Sequence, residues 1–461
     1  MNSQNLLTQI RRLLYQNLDK RADTIMDLLD ALSGNRDARS VVELSEHSLF
    51  RRGYANIYYG IRSFHVPAVV QRQAVAKATP RPQKRPFWLM AVDVTHQPRP
   101  YARTMADRSY VHAPAKVPGQ KPVTIGHAYS TVVVLPERSR EMPPWVIPAD
   151  VRRVHSEDDP ELTGAAQIDA LLQDEKMPWH GNLVATVADT AYSKPAFLLY
   201  EWEKHPNWVR IVRVRSNRVF YRQPEPTSGP RRPGHPRWYG DKFDLKDAAT
   251  WHPPDEEFQW EEVHGGKKVR VRVRIWENML MRGSREYAMH RYPFTLIRVE
   301  RLNDRGEPLH RGSLWLILFG PHRDEIPPQQ AAQSYFQRFD EEHFFRFSKQ
   351  HLLLTAFQSP DVTAEEHWWQ IVAWAYLFLW LARPLAQQHW RPWEKYLART
   401  PYLSPSHVQR DYARIIAEIG TPARLPKPRG MAPGRPKGYH PPRRLRHSVV
   451  RKGKKPSQKA A

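Results

Sequence analysis

Apolar residues recur at spacings of three and four near the start of the chain. Leu6, Leu7, Ile10, Leu13 and Leu14 form one such set, and Ile25, Leu28, Leu29 and Leu32 form another. That spacing predicts amphipathic helices over residues 1–65, with Gly34-Asn35 as a stop signal. From residue 87 the pattern shortens to unbroken apolar runs. Phe87-Trp-Leu-Met-Ala-Val92 ends in Asp93, and Leu183-Val-Ala-Thr-Val-Ala188 ends in Asp189. Both read as buried strands. Val123–Leu135 and Trp208–Val214 read as further strands, with short helices at 162–174 and 196–204. Strands alternating with helices point to an α/β sheet.

The pattern changes again between 218 and 310. Pro and Gly crowd 224–240, and then Lys268-Val-Arg-Val-Arg-Val-Arg-Ile275 alternates charged and apolar positions. Such alternation suits a strand with one solvated face, so this stretch reads as mostly β. Ser313–Phe319 returns to a buried strand, broken by Gly320-Pro321. Helices are predicted at 328–352, 364–386 and 404–419. The expected order is a helical, DNA-binding N-terminal region (1–65), a basic linker (66–86) and an α/β core (87–217). A β-rich insertion (218–310), the last core strand with a helix (311–355), a helical region (356–420) and a basic, Pro-rich disordered tail (421–461) follow.

Charge narrows the partners. The net charge is +24 and the isoelectric point is about 10.1. The tail from Thr421 holds 13 Lys or Arg and no acid, about half of that excess. Such a chain favours polyanions, nucleic acid first, because phosphate neutralisation releases counterions. No run is long and apolar enough to read as a membrane span. The first thirty residues carry charges throughout and lack a signal-peptide core, so a cytoplasmic location is expected. With no cysteine, disulfides, thiolate zinc sites and cysteine nucleophiles are excluded.

Asp93 and Asp189 close strands, where active sites of open α/β sheets gather. Two carboxylates brought together repel and call for a hard divalent cation with oxygen ligands, which Mg²⁺ satisfies. Taken singly, an aspartate at a strand end is more often a turn or helix-cap residue than a catalyst, and for Asp189, followed by Thr-Ala-Tyr, capping is equally credible. On the helix at 328–352, Arg338, Glu342 and Lys349 follow Tyr335 by three, seven and fourteen residues and share one stripe. A guanidinium clamp, a carboxylate and an ammonium on one face suit a phosphate backbone plus a metal. A merely solvated face is the plainer alternative. Asp340 and Glu341 could also supply a ligand, but they fall off the stripe. Trp251, Trp260 and Trp276 in the β-rich stretch read as packing residues.

Tyr335, Arg338, Glu342 and Lys349, with two, three and six residues between them, resemble the Y-(2)-R-(3)-E-(6)-K signature of bacterial insertion-sequence DDE transposases. Ala91-Val-Asp93-Val-Thr, Val187-Ala-Asp189-Thr-Ala-Tyr192 and Val212-Arg213-Val-Arg215 resemble that family's surroundings of the first two acids and the following basic strand. The resemblance covers about 88–355. It implies an RNase H-like core, a mixed sheet with helices, carrying a β-rich insertion between the second Asp and the Glu and flanked by helical regions. It also implies catalytic and metal-binding Asp93, Asp189 and Glu342, with Tyr335, Arg338 and Lys349 contacting DNA. Two Mg²⁺ ions, replaceable by Mn²⁺, would serve cleavage and strand transfer at one site, Asp93 bridging them. Expected partners are double-stranded DNA, as transposon ends and target, and a second protomer in the DNA complex, near a bacterial nucleoid. Two other outcomes stay open: a catalytically silent, transposase-derived DNA-binding protein, and an RNase H-like nuclease without joining activity.

Overall fold

The computed structural model describes residues 3–113, 119–139, 141–225, 237–264, 267–309, 312–394, 402–428 and 434–451. Part of the expected insertion (226–236) and parts of the basic tail (429–433 and 452–461) lie outside the described residues. In chain order the elements are α1 (Ser3–Gln16), α2 (Ala22–Ser33), α3 (Ala55–Ser63), α4 (Ala68–Ala78), β1 (Trp88–Pro98), β2 (Ser109–His112), β3 (Val123–Val134), β4 (Ile147–Val154) and α5 (Pro160–Gln173). There follow β5 (Val184–Ala188), α6 (Pro195–Leu198), β6 (Trp208–Val214), β7 (Val219–Tyr221), β8 (Lys242–Asp244), β9 (Glu256–His264), β10 (Lys267–Met281), β11 (Phe294–Leu302) and β12 (Leu314–Phe319). Helices α7 (Pro328–Gln337), α8 (Phe339–His351), α9 (Val362–Ala382) and α10 (Pro405–Ile419) close the order. The result is a mixed α/β protein with a large mixed sheet. The chain divides into two compact units: Met1–Pro80 with Val94–Thr163 and Asp340–Ala461, and Arg81–Asp93 with Gly164–Phe339.

The first unit is organised by α9. From Trp368 to Ala382 nearly every side chain is apolar and buried, so the helix needs neighbours on all sides. It packs against α1, α2, α3, α10 and β4. The apolar faces of α1 and α2 supply the complement: Leu7, Ile10, Leu14, Ile25, Leu28, Leu29 and Leu32 are all fully buried. Gly34 ends α2, its amide bonding the Asp30 carbonyl at 3.0 Å. One buried and one half-buried ion pair tie the layer. Arg11 pairs with Asp30 and also donates to the Tyr412 hydroxyl at 3.1 Å, and Arg51 pairs with Asp27 at 2.6 Å. The helices of residues 1–65 are therefore built into one body with the C-terminal helices.

The segment 66–86 departs from the linker reading, because α4 occupies most of it. Its prolines lie outside the helix, Pro67 at the N-cap and the others beyond Ala78, so none removes an internal hydrogen bond. Trp380 reaches back to the Ala78 carbonyl at 3.0 Å. Part of the basic tail is also placed, along the edge of β2.

In the second unit, the first half of β1 pairs in parallel with β5, and β5 in parallel with β6. β12 lies antiparallel to β6, then β11 to β12 and β10 to β11. The region 218–310 is mostly β, as its alternation implies. It is not a detached module, since β11 hydrogen-bonds to β12 and extends the same sheet. Val269, Val271, Val273 and Ile275 of β10 are buried while the intervening cations pair across strands, Arg274 with Glu257 and Arg272 with Glu300, both at 2.9 Å. Trp276 is buried against Phe243 and Trp315, a packing role.

Two further readings are corrected. β1 does not stop at Asp93. It runs to Pro98, because its second half has a neighbour of its own in β3 within the first unit. The single helix expected over 328–352 is two, α7 and α8. Arg338 at the junction keeps right-handed helical angles, but its amide bonds Tyr335 at 3.2 Å, a tighter turn than the α-helical ladder.

Candidate active site

Parallel pairing sets the register of the two aspartates. Val92 lies opposite Ala188, and Ala188 opposite Val212. The next residue on each strand is Asp93, Asp189 and Arg213, so all three stand at one level at the same sheet edge. Neighbouring strands are about 4.8 Å apart, and side chains at equivalent positions share a face. Asp93 and Asp189 are both half-buried, and Arg213 is exposed.

The approach is close on the helix side. A Cβ on Gly164 of α5 would stand 2.8 Å from Val92 and 3.3 Å from Tyr192, so only glycine lets α5 lie this near the two strand ends. Asp189 also caps the short turn Thr190–Tyr192, its Oδ1 accepting from the Ala191 amide at 2.8 Å. The capping alternative is thus realised, and it holds the carboxylate in place.

α7 packs on β5, β6 and β11 and delivers two cluster members. Arg338 donates to Asp93 Oδ2 at 3.3 Å and lies over the Tyr335 and Phe339 rings, 5.8 and 5.4 Å from their centroids. Tyr335 is buried, and burial pushes its phenol above the ordinary value. Arg338 and Arg213 oppose that shift, and Asp189 adds to it. Tyr335 therefore stays a neutral hydroxyl among two acids and two guanidinium groups.

Glu342 and Lys349 belong to the first unit. Among the three successive acids of α8, Asp340 is 1% exposed and is held by both arms of Arg138, each at 2.7 Å. Glu341 is fully buried, and Glu342 is half-buried. Lys349 donates to Thr95 Oγ1 at 2.7 Å. Beside it, burial, His112 and Lys349 together push the His96 imidazole down to about 4.

The structure thus brings Asp93, Asp189, Tyr335 and Arg338 into one cluster of the second unit. Among the described residues, no group of three or more His, Asp or Glu side chains is gathered as a ready metal cage. The donor chemistry of the Asp93–Asp189 pair still fits a hard cation: two adjacent carboxylates, oxygen only, with one positive charge already drawn to Asp93. Arg213, Thr95, His96 and Arg138 are not among the site residues expected from the sequence. The basic strand around Arg213 carried a signal. The Arg138–Asp340 pair carried none, its partners being far apart in the chain.

The family described as DDE superfamily endonuclease matches residues 13–279, more than half of the chain and a stretch that contains both aspartates. The chain belongs to the DDE superfamily endonucleases. The matched stretch ends before α8, so Glu342 lies outside it. No curated protein matches this DDE family member. Among solved structures it is similar to the piggyBac transposase synaptic complex with hairpin DNA, at 9% identity and a TM-score of 0.42, over 90% of this chain and 80% of that one. So loose a likeness carries neither fold nor function. Among the described residues, no helix is long and apolar enough to cross a membrane.

Proposed function

We infer that this DDE family member is a DNA transposase of the bacterial insertion-sequence type, cutting at transposon ends and joining the freed strand to target DNA. The observation that carries the reading is the in-register placement of Asp93 and Asp189 at one edge of parallel strands β1 and β5. The signature residues Tyr335, Arg338, Glu342 and Lys349 support it, and the parallel order β1, β5, β6 suits an RNase H-like core.

Asp93, Asp189 and Glu342 are the residues that would hold divalent ions, Mg²⁺ or Mn²⁺. Bound there, such ions supply charge neutralisation at the reacting phosphate and a more acidic water or 3′-hydroxyl. The chain's own groups do the rest. Arg338, already facing Asp93, carries the planar guanidinium whose geometry matches phosphate oxygens. Lys349 adds a point charge, and Thr95 restrains its ammonium. The Tyr335 hydroxyl, kept protonated by burial, donates rather than accepts. Asp189 is oriented by its cap. Partners on this reading are transposon-end and target duplexes, bound by two protomers, in the cytoplasm near the nucleoid. Residues 1–65, within the first unit, would contribute to DNA binding, and 218–310 would be the family's β-rich insertion.

A nuclease without joining activity is the second reading, favoured by the family description, which names cutting alone. One experiment separates them. Purified protein is incubated with supercoiled plasmid in Mg²⁺, Mn²⁺ or EDTA, alongside Glu342→Gln. Metal-dependent nicking by wild type only is expected, and equal nicking by the variant would remove Glu342 from the site. Supplying a pre-cut end with a free 3′-hydroxyl then distinguishes joining from cutting.

A further inference from the structure

On two elements the cations have acidic neighbours. On β10, Lys268, Arg272 and Arg274 pair with Glu261, Glu300 and Glu257. On α10, Arg410 and Arg414 pair with Glu394, Asp411 and Glu418. Residues 434–451 differ. Arg435, Lys437, Arg443, Arg444, Arg446 and Arg451 are all exposed, the stretch contains no acid, and none of the six has an acidic partner among the described residues.

The stretch is also anchored. The His447 amide donates to the Arg103 carbonyl at 2.9 Å, and the Val450 amide to the Arg108 carbonyl at 2.8 Å. Arg108 returns a bond to the His447 carbonyl at 3.3 Å, and Val450 bridges Ser109 in parallel. β2 stands at the end of the sheet order, so its outer edge offers unpaired main-chain groups. The tail satisfies them by adding as an extended strand would, which requires main-chain groups and not an apolar composition. Arg103 and Tyr110 on the same border are themselves exposed. Arg108 is buried beneath, and burial together with the charge of Arg103 pushes its guanidinium below the ordinary value. Asp107, the nearby acid, is taken up by Arg153 and Ser156.

We propose that residues 443–451, held along β2 by the His447 and Val450 amides, form a fixed contact for the phosphate backbone of duplex DNA, separate from the Asp93–Asp189 site. The proposal rests on a DNA partner, as the transposase reading does, but not on the chemistry at the aspartates. Unscreened exposed cations on a rigid edge are the chemistry that phosphates select, and anchoring removes the ordering cost a loose arm would bear.

The test is binding of a short random-sequence duplex by full-length protein in EDTA, followed by fluorescence anisotropy over a salt series. Arg443→Ala/Arg444→Ala/Arg446→Ala should weaken binding about tenfold at moderate salt and lower the salt slope by up to roughly three, one for each phosphate no longer neutralised. The triple Lys variant should keep the slope. Val450→Pro removes the anchoring amide without changing charge and should weaken binding by about threefold or more. Val450→Ala, which keeps that amide, should bind like wild type. An unchanged triple Ala variant would overturn the proposed DNA contact. A weakened triple Ala variant with Val450→Pro equal to wild type would overturn the anchoring and leave a free arm. Because EDTA stops cleavage, a failed transposase assignment would appear in the nicking assay while these results stood.

Discussion

Asp189→Asn isolates the repulsion that the strand register imposes. Asp93 and Asp189 occupy equivalent positions on neighbouring parallel strands. Taking their charges as about 6 Å apart at an effective dielectric constant of about 20, the repulsion is roughly 3 kcal/mol. Both groups are half-exposed, and Arg338 stands 3.3 Å from Asp93, so about 1 kcal/mol is the expected net cost. Asparagine keeps the Oδ1 that accepts from Ala191, so the cap is retained. The variant should therefore melt about 1 °C above wild type in EDTA, because a chain of 461 residues unfolds with an entropy of roughly 1 kcal/mol per kelvin. Adding Mg²⁺ should reverse the order, since a ligand that binds only the folded state stabilises in proportion to its occupancy, and the variant has lost a donor. The assay is thermal unfolding of both proteins in EDTA and in a Mg²⁺ series, at matched ionic strength. A variant that melts at or below wild type in EDTA would mean that the carboxylates do not repel. An equal Mg²⁺ response in both would mean that Asp189 holds no ion.

Arg138→Ala leaves the buried Asp340 carboxylate without its bidentate partner and should cost about 2–3 kcal/mol in urea unfolding, less than a fully buried pair because Arg138 is a quarter exposed. Adding Asp340→Asn should recover much of that loss, and no recovery would show that the pair is not what steadies α8. His96 is held neutral when folded, its value lowered to about 4. Its contribution is fully present above the unfolded value near 6.5 and is lost as pH falls from there towards 4, where the unfolded chain binds the extra proton. Wild type should therefore lose about 2–3 kcal/mol across that window relative to His96→Gln, and parallel stability curves would refute this.

Much of the architecture was readable along the chain. The period of the apolar residues located α1, α2, α9 and α10, and the unbroken apolar runs located β1, β5, β6 and β12, because burial imposes a pattern on the residues it selects. The signature spacing and the two strand runs singled out the acids before any geometry was known. Local chemistry also misled. The prolines around α4 suggested a linker, although they sit where a helix tolerates them. The composition of the tail gave no sign that His447 and Val450 line β2, because strand addition at an edge draws on the main chain, which is the same in every residue except proline.

By itself the sequence determined the periodicities, the charge excess and the candidate acids, since these depend on residue type and near neighbours. Only the tertiary structure decided that Val92 pairs with Ala188, and so that Asp93 and Asp189 stand level. It alone decided that Arg338 faces Asp93, that Arg138 takes up Asp340, and that the N-terminal helices wrap α9. The physical reason is that strand register and side-chain pairing are chosen by the packing of distant segments, and no short stretch of sequence carries that information.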